Sequence, residues 1–519
     1  YYSYGYSLLL VPLFLLLENP VLMYRVALLM NTLMLLMAFN LLCSCGYKIL
    51  GDRVKYYIIC GAAFLAVFNP AYIMNSHFAW SECIQVLIVI ILFWSALKFE
   101  NSFKTIYIIM LAFFSIYGYM VHQRNIGLIL AGCLFVAINV CHKKITFKQT
   151  FAFVLTLIMM FGFHCLIKNY LSNGLWRGVG EAQMAINNFS GQTSKVMGLL
   201  SAQGLFLLIV GFIGRFYYAS VGTVGLAYVG LGNIIKKIRI ADCIKSYKIE
   251  KNIDSEKSNG IIFLFLFTMV LFETGIAVIY MLWPGRIDSF VYGRYIEHTF
   301  APVIFWGIVG LYMEKNYIKK LFVWLFAGSC AAFVLYGMYK VWQNQGYTFV
   351  AAPLIDYFYN MDSDYTYVFT GMIISTILFI LIITSLKKNI NKGYIIVMLV
   401  SFIFFSSSGK SLDNQVLYMQ EHYNDSMVAK KYIDTQNENL DIFCVDVENT
   451  EFINYWYKIG ILQFLLPEAT IHPITYENIE DVEPDALLIV WNEAGYIDKL
   501  VEKYNIVESV LGYSILKIR

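Results

Sequence analysis

Pro284-Gly-Arg-Ile-Asp-Ser-Phe-Val-Tyr-Gly-Arg-Tyr-Ile-Glu-His298 is a polar, ring-rich stretch caught between two long apolar runs. Its charged residues, Arg286, Asp288, Arg294 and Glu297, stand in a 519-residue chain that is 59% hydrophobic, 17% aromatic and 14% charged, with a mean hydropathy of +0.62. Soluble domains carry about 25% charged residues, so the balance is that of an α-helical polytopic membrane protein. Charge held against a bilayer is costly unless it is paired, solvated or engaged with a ligand. Chemistry is therefore expected in this stretch first.

Outward from it, apolar runs of spanning length lie at roughly 24–43, 55–73, 80–98, 104–121, 126–141, 149–167, 218–235, 260–283, 299–314, 320–339, 366–386 and 393–408. About twelve spans are expected, several of them short of the ~20 residues that a perpendicular crossing requires. Connections 48–55, 98–104, 143–148, 236–257, 315–320 and 387–392 hold about 21 Lys and Arg, and the alternate ones about 9. The first set is thereby expected in the cytoplasm. Segments 1–23, 168–217 and 340–365, together with the opening stretch, fall outside.

Residue 1 then lies outside, and the chain opens at Tyr1 without Met, so a fragment with one more helix upstream is expected. Residues 8–17 contain Pro12 and are too short to span, which suits an interfacial or re-entrant helix. The apolar run 199–212, followed by Arg215, is read as a second interfacial helix, because an additional span there would invert every later loop.

After residue 408 the composition turns polar, which divides the chain into a membrane domain, 1–408, and a small extracytoplasmic α/β domain, 409–519. Strands are expected at 441–446 and 486–491, helices at 450–464 and 495–504, and a closing strand or hairpin at 507–518. The domain has no glycine-rich phosphate loop of the GxGxxG kind. The net charge of +3 forms no basic stripe, so nucleic acid is not an expected partner. Ten scattered cysteines include no CxxC pair and read as packing residues. No inverted repeat stands out, which weighs against a secondary transporter.

The run Tyr4-Gly-Tyr-Ser-Leu-Leu-Leu-Val-Pro12, then Tyr24-Arg25 and a long helix, Asn69-Pro70, and Ser81-Glu82 at the head of a span resembles the opening of GT-C superfamily glycosyltransferases. Protein mannosyltransferases and lipid A aminoarabinose transferases are familiar members. The resemblance extends to the helix count and an outward C-terminal domain. It implies a polyprenyl-phosphate sugar as donor, transfer outside the membrane, and inversion at the anomeric carbon. It also implies a catalytic carboxylate in the first outer loop, which would precede Tyr1. No catalytic residue is therefore named within this chain.

Under that resemblance several residues acquire two readings each. Tyr4, Gly5 and Tyr6 belong either to an aromatic belt at the interface or to a wall facing sugar and lipid. Glu82 either complements its helix N-terminus beside Ser81 or faces the cavity and orients an acceptor or a cation. Arg124, in His122-Gln-Arg-Asn125, either snorkels to headgroups or meets the donor phosphate through its planar fork. In the opening stretch, Arg286 and Arg294 converge on one phosphate while Asp288 and Glu297 hold the guanidiniums, or the four form ion pairs that merely brace the loop. Gly293, between Tyr292 and Tyr295, permits a tight turn there. Asp362-Ser-Asp364 has a DxD spacing that is a weak signal for a divalent cation; no other metal or cofactor is expected.

The expected function is an integral membrane glycosyltransferase that moves a sugar from a polyprenyl phosphate to a glycan, lipid or protein acceptor. The rivals are a lipid-linked sugar transporter or flippase, an O-antigen polymerase or ligase, and an assembly protein with a degenerate site. A flippase should carry polar groups at mid-span, whereas the charges of this sequence are expected at span ends.

Overall fold

The computed structural model describes residues 3–174, 189–238, 255–282, 287–313, 317–342, 352–358, 365–407, 409–436, 441–445, 452–492 and 494–518. The chain divides into two compact units, Tyr1–Pro12 with Ala27–Gly409, and Leu13–Val26 with Lys410–Arg519.

The first unit is helical. Eight described helices are long and apolar enough to cross a membrane: Pro20–Arg53, Glu82–Ser102, Gln123–Cys141, Phe147–Leu171, Ala202–Gly222, Gly260–Tyr280, Ile318–Val341 and Tyr367–Lys388. The chain is thus an integral multi-pass membrane protein. The count is lower than the expected twelve because several apolar runs fold into shorter pieces. Thr105–Val121 and Ile390–Ser406 fall below spanning length, and Tyr56–Val67 meets Pro70–Ser76 at a 60° bend. Asn69 starts the second piece of that pair, its Oδ1 accepting from the Ala71 N–H at 3.1 Å, with Pro70 in the first turn where a missing N–H costs nothing.

The larger departure is at 199–237. Instead of an interfacial helix followed by a span at 218–235, one 21-residue helix runs from Ala202 to Gly222 and a 12-residue helix from Leu226 to Lys237. Ser201 caps the first, accepting from the Gly204 N–H at 3.0 Å. Val224 (φ 53°) and Gly225 (φ 79°) occupy the left-handed region and stop it, a conformation that suits Gly and strains a β-branched residue. Arg215 does not break the helix because it is buried inside it, donating to the Gly211, Phe290 and Ala277 carbonyls at 3.4, 3.0 and 3.5 Å. The apolar helix of spanning length thus lies at 202–222 rather than at 218–235.

The short helix Leu226–Lys237 lies against Phe300–Met313 with almost no side chain between the backbones. A Cβ added to Gly230 would lie 2.0 Å from the Val303 carbonyl oxygen, and one on Gly307 would lie 2.1 Å from that of Leu226. This is the small-residue packing that drives helix association in lipid, where burial of hydrocarbon supplies little. Gly5–Leu16, with Pro12 inside it, is a 12-residue helix. Nine cysteines are described, all free, and Cys133, Cys141, Cys165 and Cys330 are exposed on helix surfaces rather than packed inside.

The second unit contains the helix Gly409–Thr435 and a five-stranded sheet of order β2-β1-β3-β5-β4. β1 (Ile442–Val445) runs parallel to β2 (Ile471–Ile474) and β3 (Leu487–Trp491), while β5 (Tyr513–Lys517) is antiparallel to both β3 and β4 (Asn505–Ser509). The helices Phe452–Leu465 and Ile497–Lys503 fall near their expected places. β2 was not expected: Pro473 disrupts a strand pattern, and β2 tolerates it because it is an edge strand. Both faces of the sheet are covered, Ile442, Leu487 and Ile515 on one and Val445, Leu488 and Leu516 on the other. That explains why β3 reads as a continuous apolar run.

Candidate functional site

The segment Ile287–Thr299 leaves one 3-10 turn at Ile287–Phe290 and enters another at Glu297–Thr299, from which the helix Phe300–Met313 continues. Between them the Gly293 carbonyl accepts from the Ile296 and Glu297 N–H groups at 2.8 and 3.0 Å. Gly293 lies flat on the Tyr218 ring, where an added Cβ would meet ring carbons at 2.0 Å, and Gly214 meets the Phe290 carbonyl as closely. Glycine is thus required on both sides of the contact.

Side chains fix the rest of the loop. Tyr218 Oη donates to Glu297 Oε1 and accepts from the Leu354 N–H at 3.3 Å. Tyr72 Oη donates to the Glu297 carbonyl and accepts from the Ala301 N–H at 3.1 Å. His298 Nε2 lies 3.1 Å from Glu273 Oε2. Burial and the nearby Glu82 charge push the Glu297 carboxyl up to about 8, so it is predominantly neutral at pH 7.

The anchored loop presents Arg294. Its Nε donates to Glu82 Oε1 at 2.6 Å, and its guanidinium stacks 4.0 Å over the Trp80 ring. Glu82, the first residue of Glu82–Ser102, is buried, and Ser81 gives that helix no side-chain cap. Ser81 instead holds Gln85, whose Nε2 donates to its Oγ at 3.1 Å. Ser81 therefore supplies no side-chain cap, while Glu82 remains the acidic residue of the first turn.

Arg124 approaches Glu82 from the other side, with Nη2 at 3.7 Å from Oε1 and 3.0 Å from Gln85 Oε1. Its guanidinium lies 4.4 Å over the Tyr295 ring, and Tyr292 stands 4.5 Å from the same ring. At 1% exposure Arg124 does not snorkel to headgroups. Its Nε and Nη1 have no hydrogen-bond partner among the described residues, and neither has Glu82 Oε2. Two guanidiniums thus share one carboxylate oxygen, Arg124 fully buried and Arg294 partly exposed. The arrangement offers unused N–H donors of the kind that charge-assisted hydrogen bonds to an oxyanion need, with Glu82 between the two guanidiniums and the Glu273 charge also acting on Arg124.

Of the expected site residues, the structure brings together Glu82, Arg124, Arg294, Tyr295, Tyr292, Gly293 and Glu297. It corrects one pairing: Arg294 is held by Glu82, while Glu297 holds Tyr218. Asp288 is fully buried in the first turn of the loop. Arg286, Asp362 and Asp364 lie outside the described residues. No cluster of three or more His, Cys, Asp or Glu side chains with metal-binding geometry occurs among the described residues.

Tyr4, Gly5 and Tyr6 are buried and do not form a wall of the arginine site. Tyr4 Oη hydrogen-bonds His164 Nδ1 at 2.9 Å, and Gly5 packs on the Met120–Val121 backbone. Tyr6 Oη donates to Asn31 Oδ1 at 2.9 Å, Asn31 donates to the Phe78 carbonyl at 2.7 Å, and Phe78 stacks 4.5 Å from Trp80. Tyr6 thus connects to the site through Asn31, Phe78 and Trp80, the residue beneath Arg294.

Trp80, Gln85, Tyr72, Tyr218, Arg215 and Glu273 were not expected to take part. A signal existed for the last two: an ionisable residue inside an apolar span is a functional hypothesis by default. Arg215 and Glu273 also correct the expectation that charge collects at span ends. Arg215 lines an apolar groove of about 490 Å³ with Phe216, Phe267 and Val334, and Ile296 and Phe300 from the loop complete its wall.

No family model matches the sequence, and no curated protein does. Two solved structures are similar to the chain, both of ArnT from Cupriavidus metallidurans. One is bound to undecaprenyl phosphate (TM-score 0.49) and one is in the apo state (TM-score 0.47); each is 9% identical, over 95% of this chain and 83% of that chain.

Proposed function

We propose that this chain is a membrane glycosyltransferase of GT-C type that moves a sugar from a polyprenyl phosphate to a glycan, lipid or protein acceptor on the outer face. The observation that carries the reading is the convergence of Arg124 and Arg294 on Glu82, with two buried Arg124 nitrogens that have no hydrogen-bond partner among the described residues. The sequence resemblance supplies the donor class, and the arginine pair supports it.

In this reading the acceptor hydroxyl attacks the anomeric carbon from the side opposite the phosphate. The new C–O bond forms as the sugar–phosphate bond breaks, the hydroxyl proton passes to the catalytic carboxylate that the sequence resemblance implies, the configuration inverts, and the polyprenyl phosphate leaves with the bonding electrons. Arg124 and Arg294 meet the charge that develops on the departing oxygen, the electrostatic contribution that a preorganised, water-poor site makes best. Glu82 keeps both guanidiniums aimed. The groove beside Ile296 and Phe300 suits the hydrocarbon of an isoprenoid.

The test uses the chain purified in detergent, polyprenyl-phosphate sugars as donors and membrane extracts as acceptors. Arg294→Ala is expected to abolish transfer while the protein elutes and unfolds like its parent. Undiminished turnover by Arg294→Ala would sink the assignment. Movement of the intact lipid-linked sugar across vesicles without transfer would identify a flippase instead.

A further inference from the structure

Beneath the arginine site lies a second buried pair to which the reaction outlined above assigns no role. Glu273 sits within the apolar span Gly260–Tyr280, its side chain fully buried, with Oε2 3.1 Å from Nε2 of the equally buried His298. Glu273 Oε1 and His298 Nδ1 have no hydrogen-bond partner among the described residues. A carboxylate inside a span with so little compensation is expensive, which directs attention to what it holds in place.

Glu273 stands between the two segments that carry the arginines. On one side it grips His298, four residues after Arg294 in the same anchored loop. On the other it presses on Gly127, three residues after Arg124, where an added Cβ would lie 2.6 Å from Glu273 Oε1 and 3.0 Å from its backbone nitrogen. The Arg124 turn is itself rigid, with Asn125 Nδ2 donating to the Gly118 carbonyl at 3.0 Å and the Arg124 N–H donating to His122 Nδ1 at 3.3 Å. One carboxylate therefore stands against both guanidinium-bearing segments, and its charge also acts on Arg124.

We propose that Glu273 and His298 are positioning residues that set the spacing of the Arg124 and Arg294 guanidiniums and thereby the affinity of the site for a phosphate monoester. The proposal rests on the reading of those arginines as phosphate holders. Its distinctive consequence is selectivity: loosening the pair weakens recognition of the phosphate and leaves recognition of the hydrocarbon alone. A pair that merely braced the fold would affect both.

The experiment measures binding of farnesyl phosphate and of farnesol, which shares the tail and lacks the phosphate, to the full chain in detergent. His298→Leu and Gly127→Ala are expected to weaken farnesyl phosphate on the order of ten- to a hundredfold, the scale of a misplaced recognition group, and to leave farnesol unchanged. His298→Gln, which keeps an N–H donor of similar reach, is expected to recover most of that loss. If His298→Leu does not purify as a monodisperse protein, Gly127→Ala carries the test. Parent-like farnesyl phosphate binding by Gly127→Ala, with Arg124→Gln impaired, overturns the positioning role and leaves the phosphate reading intact. A parent chain that binds farnesyl phosphate no better than farnesol overturns both.

Discussion

Arg124 holds most of the unused hydrogen-bonding capacity at the site, and its replacement is the most direct probe of charge recognition. A charge-assisted hydrogen bond contributes roughly 1.5–3 kcal/mol, so Arg124→Gln is expected to lower kcat/KM for transfer by at least about tenfold, read from initial rates. Glu297 gives a pH-dependent counterpart. Its carboxyl is raised from the ordinary 4.5 to about 8, so the folded protein binds this proton more tightly than the unfolded chain does. The stabilisation is fully present below pH 4.5 and is lost as pH rises through about 8. The unfolding temperature in detergent should therefore fall between about pH 5 and about pH 8, and Glu297→Gln should flatten that slope.

Glu82, Arg124 and Arg294 were each legible in the sequence, because charge is rare in this chain and each sits beside an apolar run. Their assembly was not legible. Arg294 and its partner Glu82 are 212 residues apart, and Glu297 is 79 residues from the Tyr218 hydroxyl that occupies it. Local spacing therefore pointed to Glu297, three residues from Arg294, as the carboxylate partner, and the tertiary fold supplied a different one.

At the scale of elements, the contact of the loop Ile287–Thr299 with the helix Ala202–Gly222 depends on the absence of side chains at Gly293 and Gly214. Gly293→Ala places a methyl in the Tyr218 ring and is expected to destabilise the protein by about 1–3 kcal/mol through overpacking, seen as a lower unfolding temperature. Activity should fall further than stability, because the same shift moves Arg294. Hydropathy located most helices but misplaced the break at 223–225. Val224 and Gly225 adopt a left-handed turn that apolar periodicity does not register, and Arg215, which reads as a helix boundary, is buried inside the helix by three carbonyl oxygens.

For the whole molecule, the distribution of basic connections in the sequence leads to the proposal that the sheet domain is extracytoplasmic, which is open to direct measurement. An epitope inserted at the exposed Leu511 is expected to bind antibody on intact cells, and one placed in the basic connection 143–148 only after permeabilisation. Reversal of that pattern would exclude chemistry on the outer face. The membrane character was legible from composition alone. The number of crossings was not, because a helix sheathed by other helices need not be long enough to meet lipid on both sides.

The helix Phe300–Met313 has that property, and it begins where the arginine loop ends. Its 14 residues rise about 21 Å against a hydrocarbon core of about 30 Å, and it is buried from Phe300 to Leu311. Mobile ions of the bulk solution weaken a surface cluster within about 10 Å at 0.1 M; beside this helix a quarter of the Arg294 side chain is exposed, while Arg124 is buried and shielded from them. Raising sodium chloride from about 0.05 M to about 1 M should change the affinity for farnesyl phosphate by no more than about twofold, whereas a basic surface patch would lose most of its grip. The burial of Arg124 thus makes the salt titration a measure of whether the phosphate binds there or on the surface.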